Sequence, residues 1–194
     1  MTEQEITENG EAFADYHYET GEDGMFCIFQ SRDKTVDYIC AFVRAALETG
    51  WMWSVGENRE AFIAISDAKT PVPFKVMMHF LRECIHILGF GTGFRLVGAL
   101  MKGGTSLEDE MKKKKKPYIK IEMLCVRKAY QGRGYMRKAM EIAFQMAQER
   151  GVPCILDTDE KLKMDKYCHL GMKLVKTRKV GEKSYMYDLI KTPR

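Results

Sequence analysis

Around residues 119–150 the polarity of the chain changes period. Ile119, Ile121 and Met123 alternate with polar neighbours and lead into Leu124-Cys125-Val126, the pattern of a buried strand. From Met136 the apolar positions recur at helical spacing through Ala139, Met140, Ala143, Phe144 and Ala147, with Arg137, Lys138, Glu141 and Glu149 largely on the other face. Gly151, with Pro153 just beyond, stops that helix. Between strand and helix lies Gln131-Gly132-Arg133-Gly134-Tyr135, a turn built on two glycines.

The rest of the chain is less sharply patterned. The opening to Gly24 is acidic but carries Phe13, Tyr16 and Tyr18, and periodicity does not decide its structure. Met25 to Gln30 reads as a first strand, and Val36, Ile39, Cys40, Val43 and Leu47 as one face of a helix ending at Gly50. Met52 to Val55 and Ala61 to Ile65 form a hairpin around Gly56-Glu57-Asn58-Arg59. After Pro71 and Pro73, the spacing of Met77, Met78, Leu81, Ile85 and Leu88 predicts a helix to Gly89; a shorter one follows with Phe94, Val97, Leu100 and Met101, then a charged one from Leu107 to about Lys115. Val152 to Leu156 reads as a strand and Glu160 to Leu170 as a short helix. Met172 to Lys176 and Ser184 to Ile190 make a closing hairpin.

At 194 residues the length suits one domain with a full core. A net charge of +4 says little about partners, so its distribution matters more. The run Lys112 to Lys116 follows Glu108, Asp109 and Glu110 and has no interleaved aromatics, so it reads as a solvated helix end and no nucleic-acid partner is expected. Six scattered cysteines show neither C-x-x-C nor a Cys/His ligand spacing, which predicts reduced thiols, a cytoplasmic setting and no metal. The opening lacks the basic end and apolar stretch of a secretory leader. The most apolar window, Cys84 to Met101, contains His86, Arg95 and several glycines, so buried helices are expected and no membrane span. Gly89-Phe90-Gly91-Thr92-Gly93 misses the dinucleotide-loop spacing.

The candidate chemistry sits at the strand–helix junction. A glycine turn opening a helix leaves backbone N–H groups unpaired, with a dipole that favours a phosphate; an ordinary tight turn accounts for the same residues. The flanking residues add to this. Val126-Arg127-Lys128-Ala129-Tyr130-Gln131-Gly132-Arg133-Gly134 resembles the acetyl-CoA signature of the GNAT superfamily of N-acetyltransferases. Downstream, Leu156-Asp157-Thr158 resembles the end of that family's fifth strand, and Tyr167-Cys168-His169-Leu170-Gly171-Met172 its Tyr-x-x-Leu-Gly-Phe segment. The likeness covers Ile119 to about Ile190.

That resemblance implies an α/β (α+β) fold with a mixed, mostly antiparallel central sheet flanked by helices. It implies one domain over residues 1–194, with 71–116 a helical insert between the third and fourth strands and 1–24 an acidic N-terminal extension. The activity it implies is transfer of acetyl from acetyl-CoA to a primary amine by direct attack in a ternary complex, with no metal. The acceptor would be a small molecule or peptide, and a homodimer stays open. Leu124, Cys125 and Val126 would offer backbone groups to pantetheine, and Gln131, Gly132, Arg133, Gly134, Tyr135 and Met136 would wrap the pyrophosphate. Met136 stands where relatives usually carry Gly or Ala. Lys163, four residues before Tyr167, would border CoA. Tyr167 is the candidate general acid, with a buried anchoring aromatic as the alternative. Glu122 shares by alternation the face of Leu124 and Val126; it is a candidate base or half of an ion pair with Lys120 or Arg127. Cys125 reads better as a small buried hydrophobe than as a nucleophile, and His169 as a helix-end residue. A rival from another class is a non-catalytic CoA-binding sensor or interaction module.

Overall fold

The computed structural model describes residues 1–20, 31–102, 104–181 and 184–193. Strands β1 (Met52–Val55), β2 (Ala61–Asp67), β3 (Ile119–Val126), β4 (Cys154–Thr158), β5 (Lys173–Lys179) and β6 (Tyr185–Lys191) form one sheet in the order β1-β2-β3-β4-β6-β5. Its neighbours are antiparallel except β3 and β4, which run parallel, so the sheet is mixed and mostly antiparallel. The strand expected at Met25 to Gln30 lies outside the described residues.

Helices cover both faces. On one, α1 (Glu3–Thr20) and α2 (Arg32–Glu48) bury Ile6, Ile39, Cys40, Val43 and Ala46 against Ala64 and Met123 of the sheet. Gly10 allows their approach, since a Cβ there would come 2.9 Å from Cys40 Sγ and 2.9 Å from the Val36 carbonyl. The start of α2 is held by Ser31, whose hydroxyl accepts from the Lys34 N–H. On the other face, α5 (Tyr135–Glu149) buries Ala139, Met140, Ala143, Phe144 and Ala147 on β2, β3 and β4, the stripe its sequence predicts. Beside it, α6 (Lys161–His169) contributes Met164 and Tyr167 to the same core.

Between β2 and β3 the chain forms α3 (Phe74–Lys102) and α4 (Leu107–Lys113). The two helices expected over this stretch run on as one element broken at Gly89, whose φ of 72° and ψ of 160° are not helical. Of the expected core stripe of α3, Leu88 is buried but Met77, Met78, Leu81 and Ile85 are exposed; Val76 is buried as well, and Phe80 packs on Tyr38 and Phe42 of α2. Apolar residues occur on nearly every side of this helix, so spacing alone does not select the buried face.

Helix α4 docks through charge as much as through apolar contact. Ser106 and Asp109 close a capping box at its start, and Met111 packs on Tyr118 and Ile155. The Leu107 N–H donates to Asp188 on β6, whose carboxylate also takes a bidentate pair from Arg178 on β5 at 2.8–3.1 Å. Both members of that pair are buried. Removing one partner leaves the other charge unmatched in a poorly solvated site, so Asp188→Ala is expected to cost about 3–5 kcal/mol. Thermal unfolding checks this, with a fall in Tm on the order of 10 °C.

Candidate active site

Two consecutive residues of β2, Ala64 and Ile65, pair with Met123 and Ile121, which leaves Glu122 as an extra residue in β3. This β-bulge reverses the side-chain alternation along the strand. Before it, Ile119 and Ile121 face α5; after it, Leu124 and Val126 do, while Met123 joins the α1–α2 core. The expectation that Glu122 shares a face with Leu124 and Val126 is therefore corrected. Its Oε1 accepts from Ser66 Oγ at 2.6 Å and its Oε2 lies 3.0 Å from Lys120 Nζ, on the sheet face away from α5.

The same strand parts from β4 early. β3 and β4 pair only at Ile119 with Cys154 and Lys120 with Ile155. Beyond that the strands diverge, and the segment Leu124–Val126 borders a cavity of about 390 Å³ instead of a neighbouring strand.

The turn after β3 supplies the cavity's polar end. Gly132 and Gly134 both adopt positive φ, at 75° and 81°, where other residues are strained. Gly134 is the N-cap of α5 and has no side chain to cap it. Among the described residues, no carbonyl or side chain accepts from the amides of Gly132, Arg133, Gly134, Tyr135 or Met136; the first N–H back in the helical ladder is that of Lys138, which donates to the Gly134 carbonyl. Adjacent donors of this kind at a helix start form an anion-binding concavity. The Gln131 side-chain amide donates to the Val126 carbonyl at 3.2 Å and ties the turn to the strand end. Tyr135 is anchored from below, its hydroxyl donating to the buried Glu60 at 3.1 Å.

Leu124, Cys125, Val126, Gln131, Gly132, Gly134, Tyr135, Met136, Lys163 and Tyr167 all line this cavity. Arg133 stacks beside it, 5.8 Å from the centre of the Tyr130 ring, and Glu122 stands on the far side of the sheet. Sequence reasoning missed Ala12, Phe13, Tyr130 and Lys166 on the wall. Tyr130 and Lys166 adjoin residues already singled out, whereas Ala12 and Phe13 come from α1, and no local signal places them there. Burial pushes the Cys125 thiol up to about 12, against a lowering pull from Lys163. Its Sγ donates to the Asn9 carbonyl, so the thiolate needed of a nucleophile is suppressed at neutral pH.

Lys120 gathers three carboxylates where the strands part: Glu108 at 2.7 Å, Glu122 at 3.0 Å and Asp157 at 3.4 Å. Burial opposes its charge, but Asp157, Glu122 and Glu108 together outweigh that and raise its pKa. Burial likewise opposes the Glu108 carboxylate, yet Lys120 and Lys112 hold it down at about 2. Among the described residues no three His, Cys, Asp or Glu side chains are grouped so as to hold a metal ion.

Residues 3–166 match the Acetyltransferase (GNAT) family, and the chain belongs to that family. No curated protein sequence matches the chain. Among solved structures it is similar to arylalkylamine N-acetyltransferase 2 from Aedes aegypti, with 9% identity over 100% of this chain and 97% of that one, at a TM-score of 0.59. An N-acetyltransferase from Staphylococcus aureus Mu50 matches at 12% identity over 98% and 97%, with a TM-score of 0.52. An agmatine N-acetyltransferase matches at 13% identity over 79% of each chain, also at 0.52. At such identities the likeness is one of fold. Alignments to two further acetyltransferase structures span only about half of those chains, 56% and 51%.

The carboxylate cluster yields a pH prediction. The folded pKa of Glu108 lies below the ordinary glutamate value of 4.5, so its contribution to stability is present above that pH and is lost as pH falls towards about 2. Denaturant midpoints of the wild type are expected to drop through this window, and Glu108→Gln to flatten that part of the curve.

Proposed function

We propose that the chain transfers an acetyl group from acetyl-CoA to a primary amine by direct attack in a ternary complex. The observation that carries this is the juxtaposition of unclaimed amides at Gly132–Met136 with Tyr167 on the wall of one cavity. In this reading the amides bind the pyrophosphate, Leu124–Val126 guide pantetheine along the edge that β4 leaves open, and Lys163 borders the donor. The neutral amine attacks the thioester carbonyl, the C–S bond breaks, and Tyr167 gives its phenolic proton to the departing thiolate. Glu122, on the opposite side of the sheet and bonded to Ser66 and Lys120, is assigned to take the amine's proton through water.

The acceptor is a cationic or peptide amine entering from the Glu122 and Asp157 side, and the working place is the cytoplasm. Structural relatives named for agmatine and for arylalkylamines make those two amine classes the first to test. The rival reading, a CoA-binding module without turnover, draws on Met136, whose long side chain lines the donor cavity.

Thiol release from acetyl-CoA with a panel of amines decides between them. Turnover is expected with at least one amine; a CoA-induced rise in Tm with no thiol release from any amine selects the binding module. Tyr167→Phe should lower kcat by about 10²-fold or more, with little change in CoA affinity. Glu122→Gln should lower kcat and remove the limb of the rate profile that reports the base; an unchanged profile excludes the assignment.

A further inference from the structure

Glu60 stands where the β1–β2 turn enters β2. It is buried, at 5% exposure, and among the described residues no lysine, arginine or histidine pairs with its carboxylate. Burying a charge without a counter-ion is costly, so its hydrogen bonds have to account for it. They run in two directions. Oε2 accepts from the Asn58 N–H at 3.1 Å, within the hairpin, and Oε1 accepts from the Tyr135 hydroxyl at 3.1 Å, at the first residue of α5. A carboxylate accepts on both oxygens and donates on neither, which suits these two donors; an amide in its place would turn an N–H towards one of them. The hairpin is shaped to bring the group there, since a Cβ on Gly56 would collide with Glu60 Oε2 and lie 3.1 Å from the Tyr135 ring.

The segment that carries the unclaimed amides is thereby fastened to this hairpin at both ends. Where it leaves β3, the Arg127 N–H donates to the Glu60 carbonyl at 3.0 Å and the Arg127 guanidinium to the Asn58 carbonyl at 3.1 Å. Where it enters α5, the Glu60 carboxylate holds Tyr135, whose ring meets Tyr130 edge-on at 6.1 Å. Between these anchors Gly132 and Gly134 have no side chains to hold them, so the direction of the amides depends on where α5 is made to start. We propose that Glu60 is a positioning residue of the donor site: through Tyr135 it fixes the start of α5, and with it the amides of Gly132–Met136, in an arrangement that takes a diphosphate. Donors aligned beforehand spare the ligand the cost of ordering them. Glu60 itself does not line the cavity, so its removal acts on binding of the diphosphate-bearing part of the donor rather than on the transfer step. The inference rests on reading the turn as the diphosphate site of acetyl-CoA.

The test uses Glu60→Gln and Tyr135→Phe, the second removing only the hydroxyl, singly and together. CoA affinity is read by calorimetry, and steady-state kinetics with the best amine of the panel are run on acetyl-CoA and on S-acetylpantetheine, a thioester donor that lacks the diphosphate. Each single variant is expected to weaken CoA binding about tenfold, the scale of losing a hydrogen bond to a charged group, and the loss is expected in KM rather than in kcat. The ratio of kcat/KM for acetyl-CoA to that for acetylpantetheine falls by the same factor, because the shorter donor makes no use of the amides; general damage to the cavity would lower both and leave the ratio where it was. The double variant is expected to bind CoA no more weakly than either single one, since all three remove one contact. Thermal unfolding reports whether each variant folds, and Tyr135→Phe decides the question alone if Glu60→Gln does not.

CoA affinity within about twofold of wild type in the folded single variants overturns the proposal. So does an unchanged ratio between the two donors, a loss confined to kcat, or losses that add in the double variant. Wild-type protein that binds CoA but releases no thiol with any amine overturns the acetyltransferase reading alone, and the calorimetric comparison still decides this inference. Wild-type protein that does not bind CoA overturns both.

Discussion

One additional residue in β3 shapes most of what the molecule can do. With Glu122 bulged out of register against β2, the strand bends and its faces exchange, so Leu124 and Val126 turn towards α5 while Met123 and Cys125 turn towards α1. Pairing with β4 ends after Lys120. The gap that follows is left open because β6 on the other side of β4, and β2 on the other side of β3, continue their own ladders past it. A sheet that splits in this way exposes a strand edge inside the protein, where an extended ligand can take the neighbour's place.

The two sheet faces meet this gap with different chemistry. On the α5 face the core is apolar, and polar character enters as backbone amides at the Gly132–Met136 turn. On the other face lies a layer of ion pairs: Lys120 with Glu108, Glu122 and Asp157, Arg178 with Asp188, and Lys176 with Glu110. This layer fastens α4 to the sheet, and it gathers the carboxylates of Glu108, Glu122 and Asp157 around Lys120 where β3 and β4 part. Lys163 crosses between these regions, reaching from α6 to Phe13 on α1. The cavity thus depends on three elements distant in the chain, and α1 in particular is part of its wall rather than a tail beyond it.

Much of this architecture is legible in the chain itself. The apolar stripe of α5, the glycines that permit positive φ at its start, the hairpin of β1 and β2 and the closing pair β5 and β6 all follow from local spacing and turn chemistry. The cavity-lining positions between Leu124 and Met136 fall in one short stretch and Lys163 and Tyr167 share one helix, so motifs that resemble those of a known family were enough to gather them. The outward-facing stripe of α3 was not legible, because a helix apolar on nearly every side takes its buried face from whatever packs on it, here α2.

Tertiary structure alone settled the face on which Glu122 stands. A bulge is a mismatch between two strands, and neither strand's own alternation contains it. The same holds for Phe13 over Lys163 and for the carboxylates around Lys120, contacts between residues up to 150 positions apart. Periodicity reports which side of an element is apolar; which partner meets that side, and where two strands let go of each other, is decided by pairing energies summed over the whole sheet.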